Sequence, residues 1–147
     1  MTVRIVGNGP CAARWHALSE KLGLGRTVAW LGDVSRTELA AEYRRASVFC
    51  LPSVQEGFGI VLLEAMAAGV PIVGALAGAI PEVAPYAALV AQDSDEALAG
   101  GILQFYESPD AREEQARLGG KWVERFDAAP VARAFLEAAT GARANGA

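Results

Sequence analysis

The chain has 147 residues, of which 52% are hydrophobic and 20% charged, an ordinary composition for one compact globular domain with a sizeable core. Its 13 basic and 17 acidic residues give a net charge of −4, and neither sign collects into a block, so the charge gives no reason to expect nucleic acid as a partner. The two cysteines lack metal or redox spacing, which predicts a reduced, cytoplasmic protein. No stretch reaches the roughly 20 apolar residues of a membrane span, so any contact with a membrane is expected to be peripheral.

Short apolar runs alternate with segments of helical spacing along the N-terminal part of the chain. The runs predict strands over residues 3–6, 27–31, 47–51, 71–73 and 87–91. Apolar repeats predict helices around residues 15–22, around Leu39 and Tyr43, and over residues 60–68, where Gly69 ends the helix. Strands that alternate with helices indicate a doubly wound, Rossmann-like α/β fold with a parallel sheet covered on both faces.

After Asp93 the pattern changes to helices only. They are predicted over residues 94–106, 109–126 and 129–139, with Pro109 in the first turn of the second. No linker divides the chain, so we expect one domain over residues 1–140 and a disordered tail over residues 141–147. Because the first strand begins almost at Met1, we expect the sequence to be a piece of a longer protein.

The stretch VQEGFGIVLLEAMAAG contains the two glutamates of greatest chemical interest. Glu64 lies in a helix that is otherwise apolar, where a carboxylate is costly to desolvate unless it finds a protein partner or serves a ligand. Gly57 and Gly59 allow the backbone to approach a ligand closely. The unpaired N–H groups of residues 59–61 suit a diphosphate, and a carboxylate suits the two vicinal hydroxyls of a ribose.

The segment EGFGIVLLE resembles the donor-site signature of retaining family-four glycosyltransferases of the GT-B architecture, which have two Rossmann-like domains. Other segments resemble that family's C-terminal domain in the same order: VRIVGNGP, VAWLGDVSRTEL, EYRRASVFCLPSVQEGFGIVLLEAMAAGVPIV, GAIPEV and ERFDAAPVARAFLE. The resemblance therefore covers nearly the whole chain and implies the C-terminal half of a GT-B fold.

The resemblance also implies roles for individual residues. In such enzymes the second glutamate binds the ribose, which implies that role for Glu64, and the first contacts the transferred sugar near the reacting centre, which makes Glu56 the catalytic candidate. The glycine-rich turn lies by the sugar and diphosphate, and the loop after the second strand lies by the nucleobase. These two places correspond to Gly57, Phe58, Gly59 and Ile60, and to Val34 and Arg36.

The implied donor substrate is a nucleoside-diphosphate sugar, with no cofactor and no metal. The family's preceding strand and helix start, which carry an arginine and a lysine, are not in this sequence, and neither is the N-terminal acceptor domain. We therefore expect the N-terminal domain as a partner and no activity from this chain alone. An apolar stripe of Val131, Phe135 and Leu136 predicts self-association.

Two other functions remain open. A non-catalytic nucleotide-sugar-binding module would share the glycine-rich turn and Glu64. The segment GNGPCA follows a strand and fits a truncated dinucleotide fingerprint, with Asp33 about 20 to 25 residues later, which would indicate an oxidoreductase domain. Glu64 could also be a solvated or structural carboxylate, because two glutamates eight residues apart are frequent by chance.

Overall fold

The structure is a computed structural model and describes residues 1–129 and 131 of the chain. The chain folds into two compact units, one formed by Met1–Glu42 and the other beginning at Tyr43. Strands alternate with helices in both units, and the strand pairings in the described part are parallel. The predicted α/β class is confirmed.

The first unit is built on a two-stranded parallel sheet. Its elements are β1 (Val3–Val6), α1 (Ala12–Lys21), β2 (Val28–Gly32) and the start of α2 (Arg36–Arg45). Val3 pairs with Val28. The Arg4 guanidinium donates to both carboxylate oxygens of Glu42, which connects β1 to α2.

A capping box begins α2. The Ser35 N–H donates to the Glu38 carboxylate at 2.8 Å, and the Glu38 N–H donates to the Ser35 hydroxyl at 3.3 Å. Each bond pairs a backbone donor at the helix start, an arrangement that typically contributes about 1 kcal/mol. Val34 and Arg36, on either side of Ser35, are thereby held next to a defined helix start.

The second unit contains a three-stranded parallel sheet with strand order β3-β4-β5. Its further elements are β3 (Phe49–Leu51), α3 (Ile60–Ala67), β4 (Ile72–Ala75), α4 (Ile80–Val83), β5 (Ala88–Val90), α5 (Asp95–Glu107), α6 (Pro109–Val123) and a short 3₁₀ helix (Glu124–Phe126). Phe49 pairs with Ile72, and Val73 pairs with Ala88. Every residue of β4 is buried, as expected for the middle strand of a covered parallel sheet.

The buried apolar residues of the described part lie in the second unit. The largest fully buried side chains are Leu62 on α3, Ile72 and Val73 on β4, and Ile80 on α4. In the first unit, the apolar stripe of α1 is instead exposed, with Trp15 45% and Leu18 41% accessible. Hydrophobic burial therefore stabilises mainly the unit that carries the candidate glutamates.

A buried glutamine completes the hydrogen bonding of β4. The Gln115 side chain on α6 accepts from the Ile72 N–H at 2.7 Å and donates to the Ile72 carbonyl at 2.9 Å. Its amide thus supplies both bonds that a neighbouring strand would make. Two buried backbone groups that would otherwise lack partners are satisfied in this way.

Most predicted elements are present with boundaries shifted by a few residues. The structure adds α4, which the sequence interpretation did not assign to a helix, and it distributes the strands over two sheets. The predicted helix over residues 129–139 lies mostly outside the described residues, and the predicted tail lies wholly outside them. Phe135 and Leu136 of the stripe that predicts self-association lie outside them as well. None of the helices in the described part is long and apolar enough to span a membrane.

Candidate functional site

The candidate site lies where the strands of the second unit end. The loop over residues 52–59 follows the carboxyl end of β3, and the turn over residues 76–79 follows the carboxyl end of β4. In open α/β sheets, ligands bind outside this edge, where helix N-termini point their free N–H groups. The predicted EGFG turn therefore lies at the edge where such a sheet binds ligands.

Gly59 immediately precedes α3 and is its N-terminal capping residue. Its φ is +78°, and a Cβ added there would come within 2.7 Å of Leu62 Cδ1 and 3.2 Å of Glu56 Cγ. Both the backbone conformation and the available space therefore require glycine. Since Gly59 has no side chain, it leaves the first N–H groups of α3 without a side-chain cap, and these groups can bind an anion.

The Glu56 backbone is fixed by the turn after β4. Its carbonyl accepts from the Ala79 N–H at 3.1 Å. A Cβ on Gly78, whose φ is +51°, would come within 2.7 Å of the same carbonyl oxygen. The Glu56 carboxylate makes no hydrogen bond or ion pair with any residue that the structure describes. A fixed backbone thus carries a carboxylate that is available to a ligand.

Phe58 connects the glycine-rich turn to the short 3₁₀ helix. Its ring is 46% exposed and meets the Phe126 ring edge-on, with centroids 5.9 Å apart. The ring centroids of Phe126 and Trp122 are 6.5 Å apart, and the Trp122 indole N–H donates to the Val83 carbonyl at 3.0 Å. These contacts limit the positions that the turn can adopt.

Glu64 is exposed rather than buried. The apolar sequence of α3 is typical of a helix that is buried on all sides, but this expectation is wrong, because α3 buries only one stripe, formed by Leu62, Ala65 and Met66. The Glu64 carboxylate also has a protein partner: the Tyr43 hydroxyl donates to its Oε2 at 3.0 Å. Burial raises the pKa of Tyr43 well above its usual value, and the hydrogen bond to Glu64 and its negative charge raise it further.

The second unit brings six of the eight candidate residues together on one loop and one helix: Glu56, Gly57, Phe58, Gly59, Ile60 and Glu64. Ile60, the first residue of α3, is 65% exposed. The other two belong to the first unit, where Val34 is partly buried and Arg36 is exposed. The ligand roles of all eight residues remain predictions.

Sequence reasoning missed the residues that hold the two glutamates. The helical repeat identifies Tyr43 only as an apolar position and does not indicate that its hydroxyl is a donor. Gly78 and Ala79 begin the segment GAIPEV, whose resemblance to the family's C-terminal domain does not indicate a structural role for these two residues. A tyrosine in a helix that precedes a glutamate-bearing helix is a weak signal by itself.

The first unit contains an open, mostly apolar cleft beside the GNGPCA segment. Asn8, Cys11 and Trp15 line it together with His16 and Trp30, whose rings stack with centroids 4.3 Å apart. Asp33, the acid of the alternative dinucleotide fingerprint, does not line this cleft. No three metal-ligating side chains cluster anywhere in residues 1–129 and 131.

Comparison with known proteins identifies a family and a fold. The family model described as glycosyl transferases group 1 matches residues 1–122. Phosphatidyl-myo-inositol mannosyltransferase from Mycobacterium leprae is 34% identical over 122 residues, which are 80% of this chain and 33% of that enzyme. The chain thus spans about a third of the length of this relative.

Solved structures give the same architecture. Sucrose-phosphate synthase from Thermosynechococcus elongatus superimposes with a TM-score of 0.78 at 26% identity, over 95% of this chain and 38% of that one. HepE from Anabaena, solved in complex with UDP, gives a TM-score of 0.84 at 24% identity, over 96% of this chain and 41% of that one. The second likeness concerns the fold alone.

Proposed function

Because the chain belongs to the family of glycosyl transferases group 1, we propose that it is the C-terminal, nucleotide-sugar-binding domain of a retaining glycosyltransferase. The intact enzyme transfers a sugar from a nucleoside-diphosphate sugar to an acceptor hydroxyl. The mannosyltransferase name of the mycobacterial relative supports the transfer of a sugar.

The observation that carries the proposal is the arrangement on α3 and the loop before it. The uncapped N–H groups at its start, after Gly59, bind the diphosphate. Glu64 is four residues beyond Ile60, about 6 Å along the helix axis, and its carboxylate accepts from the ribose hydroxyls. The Glu56 carboxylate precedes the same helix start and contacts the transferred sugar.

Acceptor binding is assigned to a part of the enzyme outside this sequence. The match covers 33% of the mycobacterial relative, which leaves room there for a second domain. We therefore expect this chain alone to bind a donor without transferring its sugar. The proposed contacts to the diphosphate are backbone amides at the start of α3, which bind more weakly than the charge-assisted bonds of a cation, so binding should be weak, in the high micromolar range or weaker.

The test is Glu64→Gln, measured with uridine, guanosine and adenosine diphosphates by NMR titration. Loss of a charged acceptor for ribose hydroxyls should weaken binding by about 1.5–3 kcal/mol. Glu113→Gln is the matched control, since Glu113 is an exposed glutamate on α6 and should leave binding unchanged.

Two results would contradict the proposed role of Glu64. One is equal affinity of the parent chain and Glu64→Gln for each of the three nucleotides. The other is a large fall in melting temperature without any ligand, which would mark Glu64 as a structural residue.

A further inference from the structure

We infer that Tyr43 is a positioning residue that holds the Glu64 carboxylate ready for the ribose hydroxyls of the donor. The inference rests on the proposed function and adds to it a residue that the sequence interpretation assigned only to packing. Tyr43 touches no part of the donor in this proposal, because it acts through Glu64.

The ring of Tyr43 has a fixed place in the second unit. It belongs to the last turns of α2 and is 8% exposed. It packs against Phe49 at the start of β3, with ring centroids 5.7 Å apart and planes at 50°. A donor attached to such a ring has little freedom, so the direction of its hydroxyl is set by the core.

The hydroxyl has two acceptors within reach, and both are on α3. Glu64 Oε2 lies 3.0 Å away, whereas the Val61 carbonyl lies 3.4 Å away. The carboxylate is closer and charged, which makes it the stronger acceptor. Since burial raises the pKa of Tyr43, the hydroxyl keeps its proton and remains a donor throughout the neutral range.

The hydrogen bond matters because Glu64 is exposed. An exposed glutamate samples several rotamers, and fixing one of them on a ligand lowers the affinity. Tyr43 fixes the carboxylate before the ligand arrives. It uses one of about four lone-pair directions of the carboxylate and leaves the others for the two ribose hydroxyls.

A purely structural interpretation makes a different prediction. If Glu64 serves only to satisfy the buried hydroxyl of Tyr43, removal of that hydroxyl changes stability but not the discrimination between ribose and deoxyribose. The Val61 carbonyl oxygen lies 3.4 Å from the Tyr43 hydroxyl and is a second acceptor for it, so the hydroxyl does not depend on Glu64 alone for a partner. Dependence of the affinity on the ribose hydroxyls therefore separates the two interpretations.

The experiment uses Tyr43→Phe, which keeps the ring and removes only the hydroxyl. Dissociation constants are measured for the tightest of uridine, guanosine and adenosine diphosphate and for its 2′-deoxy and 3′-deoxy forms. Tyr43→Phe should weaken binding of the ribose form about three- to tenfold and of the deoxy forms less. Tyr106→Phe, at an exposed tyrosine on α5, should change none of these constants.

A double-mutant cycle locates the effect. In a Glu64→Gln background, Tyr43→Phe should weaken binding by less than about twofold, because only a neutral amide oxygen, a weaker acceptor for the ribose hydroxyls, is left for Tyr43 to position. Glu64→Asp provides a second route that leaves Tyr43 untouched. It keeps the charge but shortens the side chain, so Tyr43→Phe should have little further effect in that background as well.

The outcomes are distinguishable. An unchanged dissociation constant in Tyr43→Phe, or equal losses for ribose and deoxyribose forms and in the Glu64→Gln background, would overturn the positioning role while the proposed function stands. If the parent chain binds none of the three nucleoside diphosphates, the proposed function fails and the inference fails with it.

Discussion

Replacement of Gly78 by alanine tests whether the turn after β4 holds the Glu56 loop in place. Gly78 has a φ of +51°, and an added Cβ would come within 2.7 Å of the Glu56 carbonyl oxygen and 3.0 Å of the Glu56 backbone nitrogen. Gly69, after the end of α3, provides the matched comparison, since its φ is +70° but a Cβ there meets nothing within 4 Å. Both variants carry left-handed strain, and only one carries the close contact.

The expected free energies of unfolding follow from these distances. A left-handed alanine costs about 1–2 kcal/mol, which is the whole expected effect of Gly69→Ala. In Gly78→Ala the Glu56 backbone must also move. That movement breaks its hydrogen bond with the Ala79 N–H, which contributes about 0.5–1.5 kcal/mol. The total loss for Gly78→Ala is therefore about 1.5–3.5 kcal/mol.

Urea unfolding measures the two losses, and amide hydrogen exchange at Ala79 reports the local bond directly. Gly78→Ala should also weaken nucleoside-diphosphate binding, because the displaced loop carries Glu56 and leads into the start of α3. Gly69→Ala should leave binding unchanged. Equal losses of stability in the two variants, with unchanged exchange at Ala79, would refute the view that the Gly78 turn holds this loop.

Three further predictions concern the second unit and the cysteines. Gly101→Ala on α5 places a Cβ 2.9 Å from valine methyl groups on β4 and β5 and should lower the free energy of unfolding by about 1–3 kcal/mol. The Cβ of Gly100→Ala meets nothing within 4 Å, so this variant should raise the free energy of unfolding by up to about 1 kcal/mol. Melting temperatures that shift in the same direction for both variants would contradict these two predictions. Gln115→Leu should cost about 2–6 kcal/mol in urea unfolding, because two buried backbone groups of β4 lose their partner; a loss below about 1 kcal/mol would show that water replaces the amide. Burial raises the pKa of Cys50 to about 11, so iodoacetamide at pH 8 should modify the exposed Cys11 before Cys50. The modification rate of Cys50, followed by peptide mass spectrometry, should rise about tenfold for each pH unit up to pH 10. Equal modification rates of the two cysteines at pH 8 would contradict the burial of Cys50.

Local sequence patterns predicted the elements well where the signal is local. Gly59 and Gly69 bracket α3, Pro109 begins α6, and the strand over residues 3–6 is present as predicted. Each of these depends on a backbone preference of one residue or on a short apolar period. Boundaries of the other strands shift because hydrogen bonding to a neighbouring strand, and not the apolar run itself, decides where a strand ends.

Tertiary contacts of the site could not be predicted in this way. Tyr43 and Glu64 are 21 residues apart, and Gly78 approaches Glu56 from a different turn. A periodic pattern identifies which face of a helix is apolar, but it does not state which side chain of another element meets that face. The sequence does not indicate that the Tyr43 hydroxyl makes a polar contact, because tyrosine fits a core position and a polar contact equally well.

The exposure of Glu64 changes what its replacement should do to the empty protein. A buried carboxylate without a ligand would destabilise the fold, and its removal would then raise stability. The exposed Glu64 remains hydrated and also accepts from Tyr43, so no such liability exists. In Glu64→Gln the side-chain carbonyl oxygen can still accept from the same hydroxyl, with the loss of charge weakening that bond by a fraction of its worth. We therefore expect the free energy of unfolding to change by no more than about 1 kcal/mol, while the affinity for a nucleoside diphosphate falls by more. A gain in stability beyond about 1 kcal/mol in the empty protein would instead indicate a desolvated carboxylate and would contradict the exposed position of Glu64.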